Sequence, residues 1–480
     1  MLVKNSIIYG GTTVIKGATS FLRIAIFTRL LNPAEYGDFA VVMALVAFID
    51  AFAFLWIRQA VMRHITHEHT DQDYTYFTNA LIIYGGLSCL CLLISLLMTA
   101  LGILNMNGLT LVFELVGILV VTEAFSNLAI LMARIRLHYH LFLSLNVIKP
   151  ILSLIVGALL IQAGLGTSGA LYGLLAGFTL SCIIGGYFIP DFKHIARALY
   201  SPKAIRAICT FGLPLIIVFS LQSAVRVTDR LLLDTIIGGD ITGLYAAAQD
   251  IPFRLLNIIA LAVHLAAYPL AVNAFDHKGK EACRTQLRTN FIFLFGIMCP
   301  AIIGMAVLAP GMAYIFVGEA FRPFAIQYFV FFTIISFLNC FVQYYFVLPF
   351  HLTKKTKSLI IPSLCGFVVN LIISYFGIRY WGVAGAITGS FLAYATVFAA
   401  VFIMGRNIFH LPIPWRATTE IILASSAMGA FVHYLNSGEN IIMFCFSVLS
   451  GALLYAALIL SFNTEGIRNR VHKLLKERAL

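Results

Sequence analysis

The sequence predicts an all-α membrane protein of about fourteen transmembrane helices, in two six-helix lobes with two further helices at the C-terminal end. Three observations predict it. The 480-residue chain is 61% hydrophobic and only 11% charged, whereas soluble domains run near one quarter charged. Fourteen apolar stretches each approach the ~20 residues that cross a bilayer. Cationic residues also alternate from one side of these stretches to the other.

The stretches are 6–30, 36–58, 77–101, 109–132, 141–163, 167–189, 207–228, 241–270, 289–312, 324–349, 358–378, 382–404, 417–435 and 440–462. The segments between them are too short to form a separate soluble domain. The first stretch has no small-residue cleavage site behind it, so it reads as a retained helix rather than a signal peptide. All of the nine cysteines but Cys283 lie in apolar stretches, where they serve as small core hydrophobes and call for no disulfide.

The formal charge of +12 raises the question of nucleic acid. Its distribution answers it. With a cytoplasmic N-terminus, 23 cations fall on inner loops and the tail, among them Arg58, Arg136, Arg406 and Arg416. The outer loops hold four, Arg29, Arg230, Arg322 and Arg379. That is the positive-inside pattern of a multi-pass protein with both termini in the cytoplasm. It calls for membrane lipids as partners and for no nucleic acid. In the tail, Ile467, Val471, Leu474 and Leu475 share one helical face with basic residues opposite. Two readings stand, a helix lying on an anionic leaflet and a solvated tail.

The two halves repeat. "TRLLNPAEYGDFAV" (28–41) recurs as "DRLLLDTIIGGDITGLYAA" (229–247), and "GTSGALYGLLAGFTLS" (166–181) recurs as "WGVAGAITGSFLAYATVF" (381–398). Each spacing covers six stretches, an even number, so the copies share one orientation about an axis along the membrane normal, as in parallel-repeat transporters. The expected division is an N-terminal lobe over 1–200, a C-terminal lobe over 201–405, and 406–480 for the last two helices and the tail. Two lobes that rock about a cleft are what alternating access requires.

Charges at bilayer depth are costly, by at least ~2.5–3.5 kcal/mol on insertion scales, and normally face protein or a water-filled cavity. Lys16 and Arg23 lie seven apart on one helical face with Thr12 or Thr13 and Thr19 or Ser20. Arg226 follows Gln222 or Ser223, with Asp229 and Arg230 one turn on. Asp250, Arg254, Asn257 and His264 form a third stripe. The expected substrate-binding cations are Lys16, Arg23, Lys149, Arg226 and Arg254. The expected charge partners or coupling-ion carriers are Asp50, Glu123 and Asp250. Asp250 and Arg254, four apart, are expected to bond to each other, and Asp50 to neutralise Lys16 or Arg23. Two cations on one face cannot satisfy one another, so Lys16 and Arg23 either line a wet cavity that accepts an anion or sit in structural ion pairs.

Some chemistry is absent. No Walker motif cradles nucleotide phosphates and no His-Glu-x-x-His occurs. His64, His67 and His69 in "RHITHEHTDQD" (63–73) read as a hydrated loop, since a metal site needs fixed geometry and supporting hydrogen bonds. No metal, cofactor or catalytic residue is expected, and the short outer loops argue against an enzyme.

"RLLNPAEYGDFAVV", after "NSIIYGGTTVIKGATSFLRIAIF", resembles the start of polysaccharide flippases of the multidrug/oligosaccharidyl-lipid/polysaccharide exporter superfamily, with Arg-Leu-Leu and then Pro-x-x-Tyr-Gly. "GVAGAITGSFLAY" is similar to that family as well. The resemblance implies a flippase of the bacterial inner membrane. Its substrate would be an O-antigen or capsule repeat unit on undecaprenyl diphosphate, held at the diphosphate by a cationic cavity between lobes. It also implies an O-antigen polymerase and a chain-length regulator as partners. Alternatives on the same fold are a multidrug antiporter and a lipid II flippase, and from another class an O-antigen polymerase. Buried cations at least as numerous as anions disfavour the drug antiporter.

Overall fold

The computed structural model describes residues 2–66, 70–101, 110–193, 200–435 and 440–463, with side chains from 15 onward except 16, 110–114 and 193. Among the described residues every regular element is helical. A bilayer offers no water to backbone N–H and C=O groups, so apolar stretches close their hydrogen bonds within themselves. The first helices are α1 (Leu2–Leu30), α2 (Pro33–Ala53), α3 (Leu55–His64), α4 (Asp71–Ala100), α5 (Thr110–Ile135) and α6 (Tyr139–Leu160). Next come α7 (Gly166–Phe188), α8 (Pro190–Lys193), α9 (Pro202–Ile236), α10 (Gly239–His277), α11 (Gly279–Val307) and α12 (Ala309–Phe316). The last are α13 (Arg322–Phe341), α14 (Leu348–Leu352), α15 (Ile360–Trp381), α16 (Val383–Ile408), α17 (Trp415–Tyr434) and α18 (Ile441–Phe462).

Eleven helical runs among the described residues are long and apolar enough to cross a membrane. One of them, Tyr139–Phe188, contains two of the expected stretches. Helix α6 ends at Leu160, and in the short connection Ile161–Leu165 Gly164 (φ 89°) supplies the left-handed backbone that reverses the chain into α7.

By Cα packing the chain divides into two units, Met1–Ala246 with Ser363–Ala393, and Ala247–Pro362 with Tyr394–Leu480. In the first unit the recurring motifs do local work. Asn32 caps α2: its Oδ1 accepts from the Glu35 amide at 2.9 Å, the Glu35 carboxylate accepts from the Asn32 amide at 3.0 Å, and Pro33 opens the helix. The start of α2 then lies directly on the start of α10. A side chain at Gly37 would strike the Gly239 carbonyl, and one at Gly243 would strike that of Pro33. The motif at 28–41 and its counterpart at 229–247 are therefore in contact, and a glycine in each permits it. The second pair of motifs tightens helix hairpins. Gly173 abuts the Gly157 backbone between α7 and α6, and Gly385 abuts Gly377 between α16 and α15, the close approach that small residues give in membranes.

In the second unit α17 packs on α11 and α18. Ile292, Cys299, Ala417, Ile421, Ala424 and Ile459 are buried together, and the Tyr455 hydroxyl donates to the Gly296 carbonyl at 2.6 Å. A π-turn, Val342–Phe346, follows α13 and carries Tyr345 and Phe346 into an aromatic cluster with Phe291 and Phe341. An apolar groove of about 520 Å³ runs among α10, α11, α12, α17 and α18, lined by residues such as Leu255, Pro300, Met305, Met428 and Val448.

Candidate functional site

Five ionisable side chains from α1, α2, α3, α5 and α6 meet in the first unit. The Arg58 guanidinium grips Asp50 with both nitrogens, Nη1 to Oδ1 at 2.7 Å and Nη2 to Oδ2 at 2.6 Å. It also donates to the Tyr84 hydroxyl at 3.1 Å, which in turn donates to the Ala124 carbonyl. Arg58 is 7% exposed and Asp50 9%. This corrects two expectations. Arg58 is no loop cation, and the carboxylate expected to serve Lys16 or Arg23 is taken by Arg58. The physical reason is local: the chain breaks at Phe54 and restarts as α3, which turns Arg58 back over the last turn of α2. A two-pronged arginine fork is the strongest way to hold a buried carboxylate.

Glu123 on α5 and Lys149 on α6 complete the cluster. Lys149 is buried; its Nζ donates to the Asn127 Oδ1 at 3.0 Å and stands 4.4 Å from the centre of the Phe178 ring. Glu123 interacts electrostatically with Lys149, Asp50, Arg58 and Arg23. Its Oε2 is shielded from solvent and accepts no hydrogen bond. Arg23 on α1 is half-buried. Three cations thus face two carboxylates, and one of those carboxylates is only partly satisfied.

A second node in the same unit had no place among the expected site residues. Asp229 on α9 is fully buried and accepts from Asn370 Nδ2 at 2.9 Å, Ser374 Oγ at 2.8 Å, Tyr245 OH at 3.2 Å, and the Ser390 hydroxyl. These donors come from α15, α10 and α16. Asn370 also reaches Ser374 Oγ at 3.2 Å. Next to Asp229, Arg230 is 5% exposed and donates to the Ala40 carbonyl of α2 at 3.1 Å; it is a packing residue, not the outer-loop cation expected. The sequence signal was available: Asn370, Ser374 and Ser390 are polar residues spaced on one face of each of two apolar helices. A third node lies where α5 ends. Arg136, likewise expected in a loop, is 5% exposed and pairs with Asp191, with Asp73 at 3.2 Å and with the Thr66 carbonyl at 2.7 Å. Burial works against its charge, but the bonds to Asp191 and Asp73 outweigh it and hold its pKa above the ordinary value.

The α10 stripe belongs to the second unit. Arg254 Nη2 donates to Asp250 Oδ2 at 3.1 Å, the pairing expected from their spacing. Asn257 accepts from the Tyr344 hydroxyl at 2.8 Å, and His264 stacks on Tyr268 with ring centres 5.0 Å apart. Arg226 on α9 is exposed rather than buried. The Lys16 side chain, His67, His69 and the tail from 464 lie outside the described residues. Among the described residues no group of three His, Cys, Asp or Glu side chains is placed to hold a metal ion, and all nine cysteines are free thiols.

A family model described as "Polysaccharide biosynthesis protein" matches residues 26–326. A Shigella flexneri protein named for O-antigen transport is 22% identical over 386 residues, 76% of this chain and 88% of that protein. A solved structure of the lipid II flippase MurJ in an inward closed conformation superposes with a TM-score of 0.74 at 15% identity, covering 97% of this chain and 100% of its own. An inward-facing multidrug resistance MATE transporter of the MOP superfamily gives 0.60 at 16% identity, over 82% of this chain and 97% of that one. At these identities the two structures establish a shared fold.

Proposed function

The chain belongs to the polysaccharide biosynthesis protein family, and from that premise we propose that it flips an oligosaccharide on undecaprenyl diphosphate between membrane leaflets. The cargo is an O-antigen or capsule repeat unit, moved from the cytoplasmic to the periplasmic leaflet of a bacterial inner membrane. The observation that carries this reading is the charge cluster of the first unit, where Arg23, Arg58 and Lys149 lie in electrostatic reach of Glu123 and Arg58 is bound to Asp50. Among the described residues the cluster holds three cations and two carboxylates, and Arg58 is tied to Asp50. Such a surplus favours an anion, and a diphosphate suits both an arginine fork and a lysine point charge.

The full reading has fourteen spans in two lobes, 1–200 and 201–405, with 406–480 as an appendage. Lys16 and Arg226 join the cationic surface with Arg23, and the lobes alternate their opening. Arg254 is the weaker member, since Asp250 already holds it. An outward-moving anion runs downhill by ~2.3 kcal/mol per charge per 100 mV when the cytoplasm is negative. Among the candidate coupling carboxylates, Asp50 and Asp250 have arginine partners, and Glu123, whose Oε2 accepts no hydrogen bond, is the proposed carrier. The groove of the second unit is lined almost wholly by apolar side chains, a surface that suits hydrocarbon better than sugar and so supports a lipid-borne cargo. The neighbours' names support the same reading, one named for O-antigen transport and one for lipid II. A multidrug antiporter is favoured by the MATE likeness alone. An O-antigen polymerase and a chain-length regulator are the proposed partners.

The test is complementation of a deletion strain. Arg23→Ala or Lys16→Ala should abolish surface polysaccharide while the protein still reaches the membrane and drug susceptibility stays unchanged. Normal display in both variants would refute the anion seat, and altered drug susceptibility on deletion would favour the antiporter.

A further inference from the structure

We propose that the pocket between α16 and α17 is a binding site for the headgroup of an anionic phospholipid. The site lies in the second unit, where the apolar run of α16 ends at Ile408 and a six-residue connection leads into α17 at Trp415. A cavity of about 260 Å³ opens there. Its walls are Phe346, Phe402 and Phe409, and its rim carries Arg406, His410 and Trp415.

The pocket is built rather than incidental. The Tyr345 hydroxyl donates to the Pro412 carbonyl at 2.8 Å and pins the connection. Phe346 meets Phe402 edge to face with centres 5.8 Å apart, and Phe409 is 6% exposed. The Arg406 guanidinium lies 5.5 Å from the centre of the Phe402 ring, so one wall already orients it. Behind the cavity, a Cβ on Gly405 would come no nearer than 3.6 Å to Phe350. The small residue there leaves the space open without any strained contact to explain it.

Charge and size select the occupant. Among the described residues no Asp or Glu lines the cavity, and Glu420 on the adjoining helix is held by Arg416 at 3.0 Å. Arg406 is therefore a cation presented to the pocket beside an imidazole that can donate a hydrogen bond. A phosphodiester matches that pair. The volume is below the ~300–1,000 Å³ of ordinary ligand clefts. It admits a headgroup and the first carbons of a chain, not a multi-sugar diphosphate. Trp415, 71% exposed at the end of a span, is placed as the amphipathic anchors of the membrane surface are. A soluble anion would gain nothing from three phenylalanine walls, whereas a phospholipid brings both the charge and the hydrocarbon to match them.

The test uses the full chain, purified in detergent. Lipid retention is read by native mass spectrometry after exposure to phosphatidylglycerol, phosphatidylcholine or inorganic phosphate. In parallel, a photoactivatable phosphatidylglycerol is cross-linked to the wild-type protein and the modified peptide identified. Phosphatidylglycerol should be retained at least about threefold better than phosphatidylcholine. Arg406→Ala with His410→Ala should remove that preference, as should Gly405→Leu by filling the floor, and the cross-link should fall within 402–415. Unchanged retention in both variants would overturn the site, and so would a cross-link elsewhere. Displacement of the lipid by millimolar phosphate would show a free-anion site instead. Preferential retention of a polyprenyl diphosphate over phosphatidylglycerol would reassign the pocket to the transported lipid. The cross-link needs no variant, so a misfolded mutant leaves the proposal decided.

Discussion

Asp229 and Glu123 are both carboxylates buried among apolar helices of the first unit, and they have been treated in opposite ways. Asp229 accepts from four side chains on three helices. Glu123 has three cations in electrostatic reach and one oxygen that accepts nothing. A buried polar group left without partners costs free energy, and a fully bonded one specifies how its neighbours pack. The first pattern marks a rivet, and the second is the one we propose for a group that answers to a passing charge. The difference teaches that burial depth alone does not separate the two carboxylates; their hydrogen-bond partners do.

Removing the rivet should have the largest effect on stability. Asp229→Ala strands the Tyr245, Asn370, Ser374 and Ser390 donors, and we expect a loss on the order of 3 kcal/mol. Membrane yield and the melting point in detergent would show it, with a fall of roughly 5 °C or more. A protein as stable as the wild type would break the comparison. Arg254→Ala comes next, because it leaves Asp250 without its partner. Its membrane yield should fall below that of Lys16→Ala, and equal yields would count against the pairing. Asn32→Ala removes one side of the α2 capping box and should cost about 1 kcal/mol, read as a small shift in melting temperature with transport retained. Glu123→Gln keeps the side chain's shape and its Oε2 has no hydrogen bond to lose, but it removes a charge facing Lys149 and Arg23, so its membrane yield should fall less than that of Asp229→Ala. It should still change transport most selectively, flattening the pH dependence of flipping while folding is preserved. An unaltered pH profile would make Glu123 a structural charge.

Much of this was legible in the sequence. The apolar stretches gave the helices, and the α2 cap follows from Asn32, Pro33 and Glu35 standing in that order. The Asp250–Arg254 pair was readable because a helix fixes the distance between residues four apart. Partnerships across helices were not. Arg58 and Arg136 look like loop cations because each follows an apolar run, and nothing local reveals that the chain folds each back onto buried carboxylates. The Asp229 shell draws on residues up to 161 positions away, a separation at which no periodicity carries information. The repeat was visible as a likeness of words, but that two of its copies touch through Gly37 and Gly243 is a fact of packing.

The central claim is that cations in the first unit seat the diphosphate of a lipid-linked sugar. Its most direct test is flipping in proteoliposomes that hold the purified protein and an undecaprenyl-diphosphate oligosaccharide, with the glycan exposed on the far leaflet scored by an impermeant lectin. Wild-type protein should expose it and Arg23→Ala, folded and inserted at the same density, should not. Equal rates from the two proteins would contradict the claim.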